Sequence, residues 1–262
     1  MAGSRPGTWP FHRSARIALM RLIQISDCHL HADPAARSRI GIPHHQFVRV
    51  IEAVASWRPD MVLVTGDVSQ DETAASYALA ARELARLDCP WYWLPGNHDE
   101  PARMAECRAF EDSVTLGQRR LLLLDTQIPG QTHGALGAAR LEALAERLAE
   151  DDRPTLIAMH HPPIGVGSRW VDALGLVDAE AFWEVLATHE RIEAILCGHI
   201  HQAFEYHRAT PHGDVPVYAC PATSDQFLPG AETFAVDAAA LPGFRVLDLD
   251  DGLSTRVERV AF

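Results

Sequence analysis

Seven short apolar runs recur along the chain, and each ends abruptly in glycine, proline or polar residues. Most contain β-branched or aromatic residues and are too short for typical helices, a pattern that predicts buried β-strands. They are RLIQISD (21–27), MVLVTGD (61–67), WYWLPGN (91–97), LLLLDT (121–126), TLIAMHH (155–161), EAILCGH (193–199) and VPVYACP (215–221). Most of these strands therefore deliver polar side chains at their carboxyl ends.

Longer segments with helical spacing lie between several of these runs. In the first, apolar residues recur at i, i+3, i+4 and i+7, namely Phe47, Val50, Ile51 and Val54. Two others are rich in Ala, Leu, Arg and Glu, which favour helix, and the last starts with Asp178, a residue suited to an N-cap. The predicted helices span 44–57, 73–87, 138–150 and 178–190. Strand and helix thus alternate, which predicts an α/β fold with a mainly parallel sheet.

The C-terminal part has a different pattern. Three strand-like segments follow one another with short connections: ETFAVDA (232–238), FRVLDLD (244–250) and STRVERV (254–260). Asp251 and Gly252 form a hairpin turn signal, so antiparallel strands are expected there. Because no linker or repeat interrupts the chain, we predict one domain over residues 20–262. Residues 1–19 are predicted to be a loose extension, since they lack the apolar segment of a signal peptide.

Composition and charge narrow the classes of partner. The formal net charge is −12 and no basic run is longer than a pair, which argues against a nucleic-acid polymer as partner. A small anionic substrate stays compatible, because a bound metal can dominate the local field. No apolar run approaches the roughly 18 residues of a membrane span. The five cysteines are scattered and no CxxC occurs, so we expect a reduced, cytoplasmic protein without membrane association.

Five of the predicted strand ends carry side chains that could bind a ligand together. In open α/β sheets, ligand sites gather at the carboxyl ends of strands. Taken singly, each cluster has an ordinary explanation, such as a Gly-Asp turn or a surface pair of histidines. Their joint occurrence in one fold favours a shared site. The residues are Asp27, His29, Asp67, Asn97, His98, Asp99, His160, His161, His199 and His201.

The residue types in this set suit divalent metals. Carboxylate, amide oxygen and imidazole are ligands for borderline cations, and no thiolate is needed. In an extended chain, alternate side chains point to the same side, so Asp27 and His29 are expected to reach one ion together, as are His199 and His201. Seven ligands exceed the four of a zinc-like centre. They suffice for two ions roughly 3.5–4 Å apart that share one carboxylate, an arrangement used for phosphoryl transfer.

The ordered motifs resemble the calcineurin-like metallophosphoesterase superfamily, whose pattern is DxH, GD, GNH[DE], H and GHxH. Here the segments are SDCH (26–29), GD (66–67), GNHD (96–99), HH (160–161) and GHIH (198–201). A narrower resemblance is to class III cyclic nucleotide phosphodiesterases, in particular the bacterial 3′,5′-cyclic AMP phosphodiesterases. It rests on LIQISDCHL, LPGNHD, LLLLDTQIPGQTHGAL, CGHIHQ and the tail from PATSDQF to GFRVLDL.

This resemblance implies a four-layer α/β/β/α sandwich with mixed sheets and a dinuclear site at one edge. By position, Asp27, His29 and His201 would hold the first metal. The second would take Asn97, His160 and His199, and Asp67 would bridge the two ions. Iron, manganese and zinc all suit these ligands.

The resemblance also implies a reaction, in which a metal-bound hydroxide hydrolyses a phosphodiester, 3′,5′-cyclic AMP yielding 5′-AMP. Asn97 and His98 would contact the substrate, and His98 would be the general acid. Asp99 would orient an imidazole from behind, and Glu100 would start the next helix. His161 is expected at the pocket rim. Related enzymes are often dimers, so a homodimer is a further expectation.

Two features leave alternatives open. The loop RIGIPHHQF has Pro43, His44 and His45 where related cyclic AMP enzymes carry a polar residue and threonine, which leaves base recognition undecided. The two histidines either contact substrate or simply begin a helix. A glycerophosphodiester or a 2′,3′-cyclic nucleotide is therefore an alternative substrate. A non-catalytic metal-binding protein is a third hypothesis, which turnover of bis(p-nitrophenyl) phosphate would exclude.

Overall fold

The computed structural model describes residues 20–250 and 252–261. The predicted extension over residues 1–19 and Asp251 of the predicted hairpin turn lie outside the described residues. The strands are β1 (Arg21–Ile25), β2 (Met61–Thr65), β3 (Trp91–Leu94), β4 (Ser113–Leu116), β5 (Arg119–Leu124), β6 (Thr155–Met159), β7 (Ile192–Cys197), β8 (Phe204–Thr210), β9 (Gly213–Ala219), β10 (Gly243–Asp248) and β11 (Ser254–Arg259). The helices are α1 (Pro43–Ser56), α2 (Ala74–Leu84), α3 (Pro101–Cys107), α4 (Gly137–Ala149), α5 (Arg169–Asp172) and α6 (Ala179–Leu186).

The strands form two mixed sheets. The first has the order β11-β10-β1-β2-β3, with β1, β2 and β3 parallel and the two C-terminal strands antiparallel. The second has the order β4-β5-β6-β7-β9-β8, in which only the edge strands β4 and β8 pair antiparallel. The predicted alternation of parallel strands and helices, followed by antiparallel strands, is confirmed.

Three hydrophobic clusters separate four layers. One lies between the first sheet and α1, α2 and α3, and another lies between the second sheet and α4 and α6. The third lies between the sheets. Within β2, Val62 and Val64 join the cluster under the helices while Leu63 joins the inter-sheet cluster, because successive strand side chains point to opposite faces. The α/β/β/α sandwich predicted from the resemblance is therefore confirmed.

Most predicted elements form, but one strand prediction is wrong. Residues 232–238 form no strand, and an isolated bridge between Phe227 and Val236 is the pairing found there. This segment folds back on the preceding loop instead of joining a sheet, because backbone hydrogen bonds link Leu228 to Ala235 and Asp237 to Gln226. The edge strands β4 and β8 and the short helix α5 were not predicted. Strand β8 is largely exposed along its length, so it lacks the apolar signal of a buried strand.

The N-cap prediction for Asp178 is right in position and wrong in function. Asp178 precedes α6 but its side chain forms no capping hydrogen bond there. Its carboxylate accepts hydrogen bonds from the backbone N–H groups of Leu136 and Gly137 at the start of α4. One acidic side chain thus joins the two helices that cover the second sheet.

A buried amide connects the two sheets close to the edge where the predicted ligands lie. The side chain of Gln24 in β1 donates to Thr65 Oγ1 in β2 and to the carbonyl of Cys197 in β7, both at 3.0 Å. The strands that precede the predicted ligands therefore end side by side. In the described part of the chain, no helix has the length and apolar character needed to cross a bilayer.

Candidate metal centre

The loops that follow β1 and β2 run alongside each other beyond the sheet. The backbone N–H groups of Asp27, His29 and Leu30 donate to the carbonyls of Gly66, Asp67 and Val68, each at 3.0 Å. This pairing fixes the DxH and GD motifs relative to each other. Two segments that are far apart in sequence thereby place their carboxylates in one site.

The ligand positions do not have the extended backbone that sequence reasoning assumed. Five predicted ligands have positive φ angles: Asp27 (55°), His29 (47°), Asp67 (51°), His199 (69°) and His201 (52°). Asp27 and His29 converge on one group as predicted, but left-handed turns produce this convergence rather than strand alternation. The prediction that His199 and His201 act together is wrong, because His201 lies with Asp27 and His29 whereas His199 lies with His160. Asp and His are among the residues that enter this region most readily. Such backbone strain costs about 1–3 kcal/mol per residue and clusters at functional sites.

Two motif glycines are explained by close approach to ligand side chains. Gly66 has φ +89°, and a Cβ atom there would lie 2.5 Å from His160 Nδ1. A Cβ atom on Gly96 would lie 2.2 Å from Asp67 Oδ1. Real Cβ atoms do not approach so closely, so the glycines of the GD and GNHD motifs provide space for the imidazole and the carboxylate.

The first group of predicted ligands lies together. Atoms of Asp27, His29, Asp67 and His201 all fall within 4.8 Å of one another, and all four residues are buried or nearly so. The Nε2 atoms of His29 and His201 are 3.0 Å apart. Asp27 Oδ1 lies 3.5 Å from His201 Nε2, and Asp67 Oδ2 lies 3.7 Å from His29 Nε2.

Hydrogen bonds from the far side fix the tautomers of these imidazoles. His29 Nδ1 donates to Gln70 Oε1 at 2.8 Å, and His201 Nδ1 donates to the Asp225 carbonyl at 2.6 Å. Since each Nδ1 carries the proton in the neutral ring, each Nε2 presents a lone pair. Two lone pairs 3.0 Å apart repel unless a cation or proton lies between them. The residues of the first group therefore fit a metal ion.

The second group of predicted ligands, around His160, also fits a metal ion. His160 Nδ1 donates to the Thr65 carbonyl at 2.7 Å, so in the neutral ring its Nε2 is an acceptor. Around this Nε2 lie Asn97 Oδ1 at 3.2 Å, His199 Nδ1 at 3.3 Å and Asp67 Oδ1 at 3.4 Å. Several acceptor atoms thus point at one place, as in a cation site. His199 Nε2 is buried without a hydrogen-bond partner.

Asp67 lies between the groups and directs one carboxylate oxygen to each. Its Oδ2 faces His29 and its Oδ1 faces His160. The backbone N–H of His98 also donates to Oδ1 at 2.9 Å, which holds the carboxylate in this orientation. This geometry is the one that a shared carboxylate between two ions requires.

Burial and nearby charges shift the pKa values of the cluster strongly. Burial lowers the pKa of His29 to about 4 and that of His199 to about 3, so both rings are neutral near pH 7. Burial also lowers the pKa of His160, but the carboxylates of Asp67 and Asp27 outweigh it and raise that pKa to about 9. Burial raises the pKa of Asp27 to about 7, with repulsion from Asp67 adding to it. A buried carboxylate of this kind favours a nearby cation.

His98 lies at the entrance to this cluster. It lines an open cavity of about 590 Å³ together with His29 and His201. The ring of His98 meets that of His29 edge-on at 5.0 Å, and Gln70 Nε2 lies 3.4 Å from His98 Nδ1. Asn97 lies deeper, beside His160. All seven predicted ligands and His98 are therefore brought to one edge of the sandwich.

Two predicted supporting roles are wrong. The Asp99 carboxylate contacts no imidazole among the described hydrogen bonds and instead accepts from the backbone N–H groups of Val68, Ser69 and Gly96 at 3.2, 3.0 and 2.9 Å. It clamps the GD loop to the GNHD turn. His161 is fully buried rather than at a rim, with its Nδ1 2.8 Å from Thr126 Oγ1.

The histidines of the first loop begin a helix. His44 and His45 lie in the first turn of α1, and His44 Nε2 is 3.8 Å from Glu83 Oε1. In this dipeptide region it is Pro43 that lines the cavity. The prediction that Glu100 starts a helix is confirmed, since it is the N-cap of α3.

Sequence reasoning missed several residues of the cavity. Gln70 bonds both His29 and His98, and its position three residues after Asp67 is the signal that could have revealed it. The cavity wall also contains Arg39, Asp225, Phe227 and Phe234. Asp225 and Phe227 lie in the SDQF segment of the tail, whereas nothing in the sequence marks Arg39 or Phe234.

Comparisons with solved structures agree with the fold described above. A dimetal phosphatase from Danio rerio is 12% identical, with a TM-score of 0.65 over 92% of this chain and 99% of that one. A purple acid phosphatase from yellow lupin is 14% identical, with a TM-score of 0.61 over 92% of this chain and 52% of that one. At these identities the likeness shows the fold alone.

Comparisons of sequence define the family. The model of the calcineurin-like phosphoesterase family matches residues 20–203. A 3′,5′-cyclic adenosine monophosphate phosphodiesterase CpdA from Pseudomonas aeruginosa is 38% identical over 93% of this chain and 91% of its own length. Proteins of the same name from Vibrio vulnificus and Escherichia coli K12 are 37% and 35% identical over 92% and 97% of this chain, and 90% and 94% of their own. The chain therefore belongs to the calcineurin-like phosphoesterase family, and its Asp/His groups imply two metal ions.

Proposed function

We propose that the protein is a metal-dependent phosphodiesterase that hydrolyses 3′,5′-cyclic AMP to 5′-AMP. The observation that carries this proposal is the Asp67 carboxylate, which directs one oxygen to each of two groups of facing acceptor atoms. Such a pair of cation sites suits attack on a phosphodiester. The names of the relatives from Pseudomonas aeruginosa, Vibrio vulnificus and Escherichia coli support cyclic AMP as the substrate.

The proposed ligand sets follow the two groups. Asp27, His29 and His201 would hold one ion, and Asp67 would be shared between both. The second ion would take Asn97, His160 and His199. When bound, the ions would neutralise charge on the phosphoryl oxygens and lower the pKa of a water molecule. Carboxylate, amide and imidazole ligands are compatible with iron, manganese or zinc.

His98 is the proposed general acid. Hydrolysis to 5′-AMP forms a bond from water oxygen to phosphorus and breaks the bond from phosphorus to the 3′ oxygen, which then needs a proton. His98 lines the cavity beside His29 and is in contact with Gln70, so it can deliver this proton at the mouth of the centre. Its backbone N–H holds Asp67, which ties the position of the acid to that of the shared carboxylate. Asn97 and His98 are the proposed substrate contacts.

A substrate panel tests the proposal. The protein would be reconstituted separately with manganese, iron and zinc and assayed on 3′,5′-cyclic AMP, 2′,3′-cyclic AMP, glycerophosphocholine and simple monoesters. We expect the highest kcat/KM on 3′,5′-cyclic AMP, with 5′-AMP as product by chromatography. A higher kcat/KM on another small diester would mean that this diester is the substrate, and the proposed reaction would stay the same. Failure to turn over even bis(p-nitrophenyl) phosphate would support a non-catalytic metal-binding protein.

We also propose that the protein is cytoplasmic and forms a homodimer. All five cysteines are free thiols, three of them buried, which suits a reducing compartment. Localisation of a tagged chain would test the compartment, and light scattering coupled to size exclusion would test the oligomeric state.

A further inference from the structure

The cavity extends well beyond the metal centre. Its volume of about 590 Å³ lies within the roughly 300–1,000 Å³ typical of small-molecule sites. His29, His98 and His201 form one side, where the phosphodiester is proposed to bind. The remaining wall contains Phe234 and Arg39. A phosphodiester group alone would leave this wall without a ligand.

A chain of aromatic contacts leads from the centre to Phe234. The Phe227 ring stacks on His201 at a centroid distance of 3.8 Å and an angle of 7°. Trp170 meets Phe227 and Phe234 edge-on at 5.0 and 5.1 Å, and the two phenylalanines are 5.4 Å apart. One face of Phe227 is therefore already covered, whereas Phe234 is 46% exposed. Of these three rings, Phe234 has the greatest surface available to a ligand.

Backbone hydrogen bonds present Phe234 in a fixed position. Leu228 N–H donates to the Ala235 carbonyl and Asp237 N–H donates to the Gln226 carbonyl, both at 2.9 Å. These bonds close the loop that carries both phenylalanines. Because the loop is fixed and its aromatic rings support one another, an exposed Phe234 ring is held ready for contact rather than collapsed onto the surface.

Arg39 lies over this ring. Its guanidinium carbon is 4.8 Å from the Phe234 centroid, and it forms no ion pair with any described residue. Its loop is pinned by the Asp225 carboxylate, which accepts from Arg39 N–H at 2.9 Å and from Ser38 Oγ at 2.7 Å. A guanidinium is flat and delocalised, and it lies here within cation–π distance of the exposed ring.

We infer that Phe234 and Arg39 form a subsite for the nucleobase of the substrate. The base stacks on Phe234 in the place that the guanidinium occupies, and Arg39, a long exposed side chain, moves to the other face of the base. This inference rests on the proposed function, since the base belongs to the same substrate. Such a subsite favours nucleoside diesters over glycerophosphodiesters, which carry no planar ring to fill it.

A binding comparison tests the subsite without turnover. Affinities of 5′-AMP and ribose 5-phosphate for the metal-reconstituted protein would be measured by calorimetry. We expect wild type to bind 5′-AMP about tenfold more tightly, the value for one stacking contact of about 1.4 kcal/mol. Phe234→Ala should abolish this preference while keeping the affinity for ribose 5-phosphate. Leu228→Ala is the matched control, since Leu228 is 43% exposed on the same loop and does not line the cavity.

Two further variants test the subsite, and one substrate pair distinguishes its failure from failure of the proposed function. Phe234→Trp should keep the preference, and Arg39→Lys should reduce it, because an ammonium cannot stack on a base. Wild type that binds both ligands equally, or binds neither, overturns the subsite, as does an equal loss of both in Phe234→Ala. Turnover of 3′,5′-cyclic AMP is compared with that of ribose 3′,5′-cyclic phosphate. A base-dependent affinity without turnover would refute the proposed function alone, and turnover without base preference would refute the subsite alone.

Discussion

Gly66→Ala should remove the ion held by His160 and leave the protein folded. A methyl group at this position would lie 2.5 Å from His160 Nδ1 and 2.8 Å from the backbone nitrogen of Gly96. His160 cannot move away freely, because it is fully buried and donates to the Thr65 carbonyl at 2.7 Å. The substitution therefore displaces a proposed ligand of the second ion.

The loss of stability in Gly66→Ala combines two contributions. Placing alanine in the left-handed region at φ +89° costs about 1–2 kcal/mol, and overpacking a buried site costs about 1–3 kcal/mol. We expect the free energy of unfolding to fall by about 2–5 kcal/mol. Natural domains have about 5–15 kcal/mol of stability, so the variant should still fold. The first group lacks His160, so one of the two ions should remain.

Gly130→Ala separates the two contributions. Gly130 also has positive φ, +72°, but a Cβ atom there would contact nothing within 4 Å. It should lose only the backbone contribution of about 1–2 kcal/mol and keep both ions. Urea unfolding of the metal-free proteins measures stability, and mass spectrometry of dialysed protein measures metal content. If Gly66→Ala retains both ions and loses no more stability than Gly130→Ala, the close packing inferred at His160 is incorrect.

Three other outcomes are expected. His98→Ala should keep both metals but lose about 10²–10⁴-fold in kcat on 3′,5′-cyclic AMP, the usual contribution of a general acid. The loss should be much smaller on esters with good leaving groups. Full activity of this variant on cyclic AMP would exclude the acid role. Asp67→Ala should lose metal occupancy at both positions, since both ions share this carboxylate, and retention of two ions by calorimetric titration would refute the bridge. In the metal-free protein, burial lowers the pKa of His160, but Asp67 and Asp27 raise it to about 9. The stability that His160 contributes is therefore full below its unfolded pKa of about 6.5 and is lost as the pH rises through about 9. The urea midpoint of metal-free wild type should fall over this window, and an equal fall in Asp67→Asn would contradict that assignment.

The apolar runs predicted most of the sheet strands because burial on both faces leaves a clear signal. Strand β2, MVLVT, is buried along its whole length, and its continuous apolar run predicts it. Strand β8, FEYHRAT, is an exposed edge with almost no buried side chain, and its pairing with β9 could not be read from its own residues. The segment at 232–238 has strand-like composition, but its backbone pairs with the preceding loop instead of a sheet, so tertiary context overrode local preference.

The residues that form the candidate site could be predicted because each lies beside a strand end in a recognisable motif. Strand alternation does not bring them together, and the left-handed backbone of Asp27 and His201 leaves no trace in composition. The prediction for Asp99 was wrong because its carboxylate accepts from backbone N–H groups, which no sequence pattern names. Arg39 and Phe234 could not be paired from sequence, because the Asp225 contacts and the loop that bring them together are tertiary.

Each proposed ion site takes ligands from both sheets. Asp27 and Asp67 follow strands of one sheet, and His160 and His201 follow strands of the other or the loop beyond it. The spacing of the centre is thus set by the thickness of the apolar layer between the sheets. Residues such as Leu63, remote from the chemistry, act as spacers for it. A smaller side chain in that layer would change the distances between ligands of both proposed ions at once. A shift of one sheet relative to the other would separate those ligands.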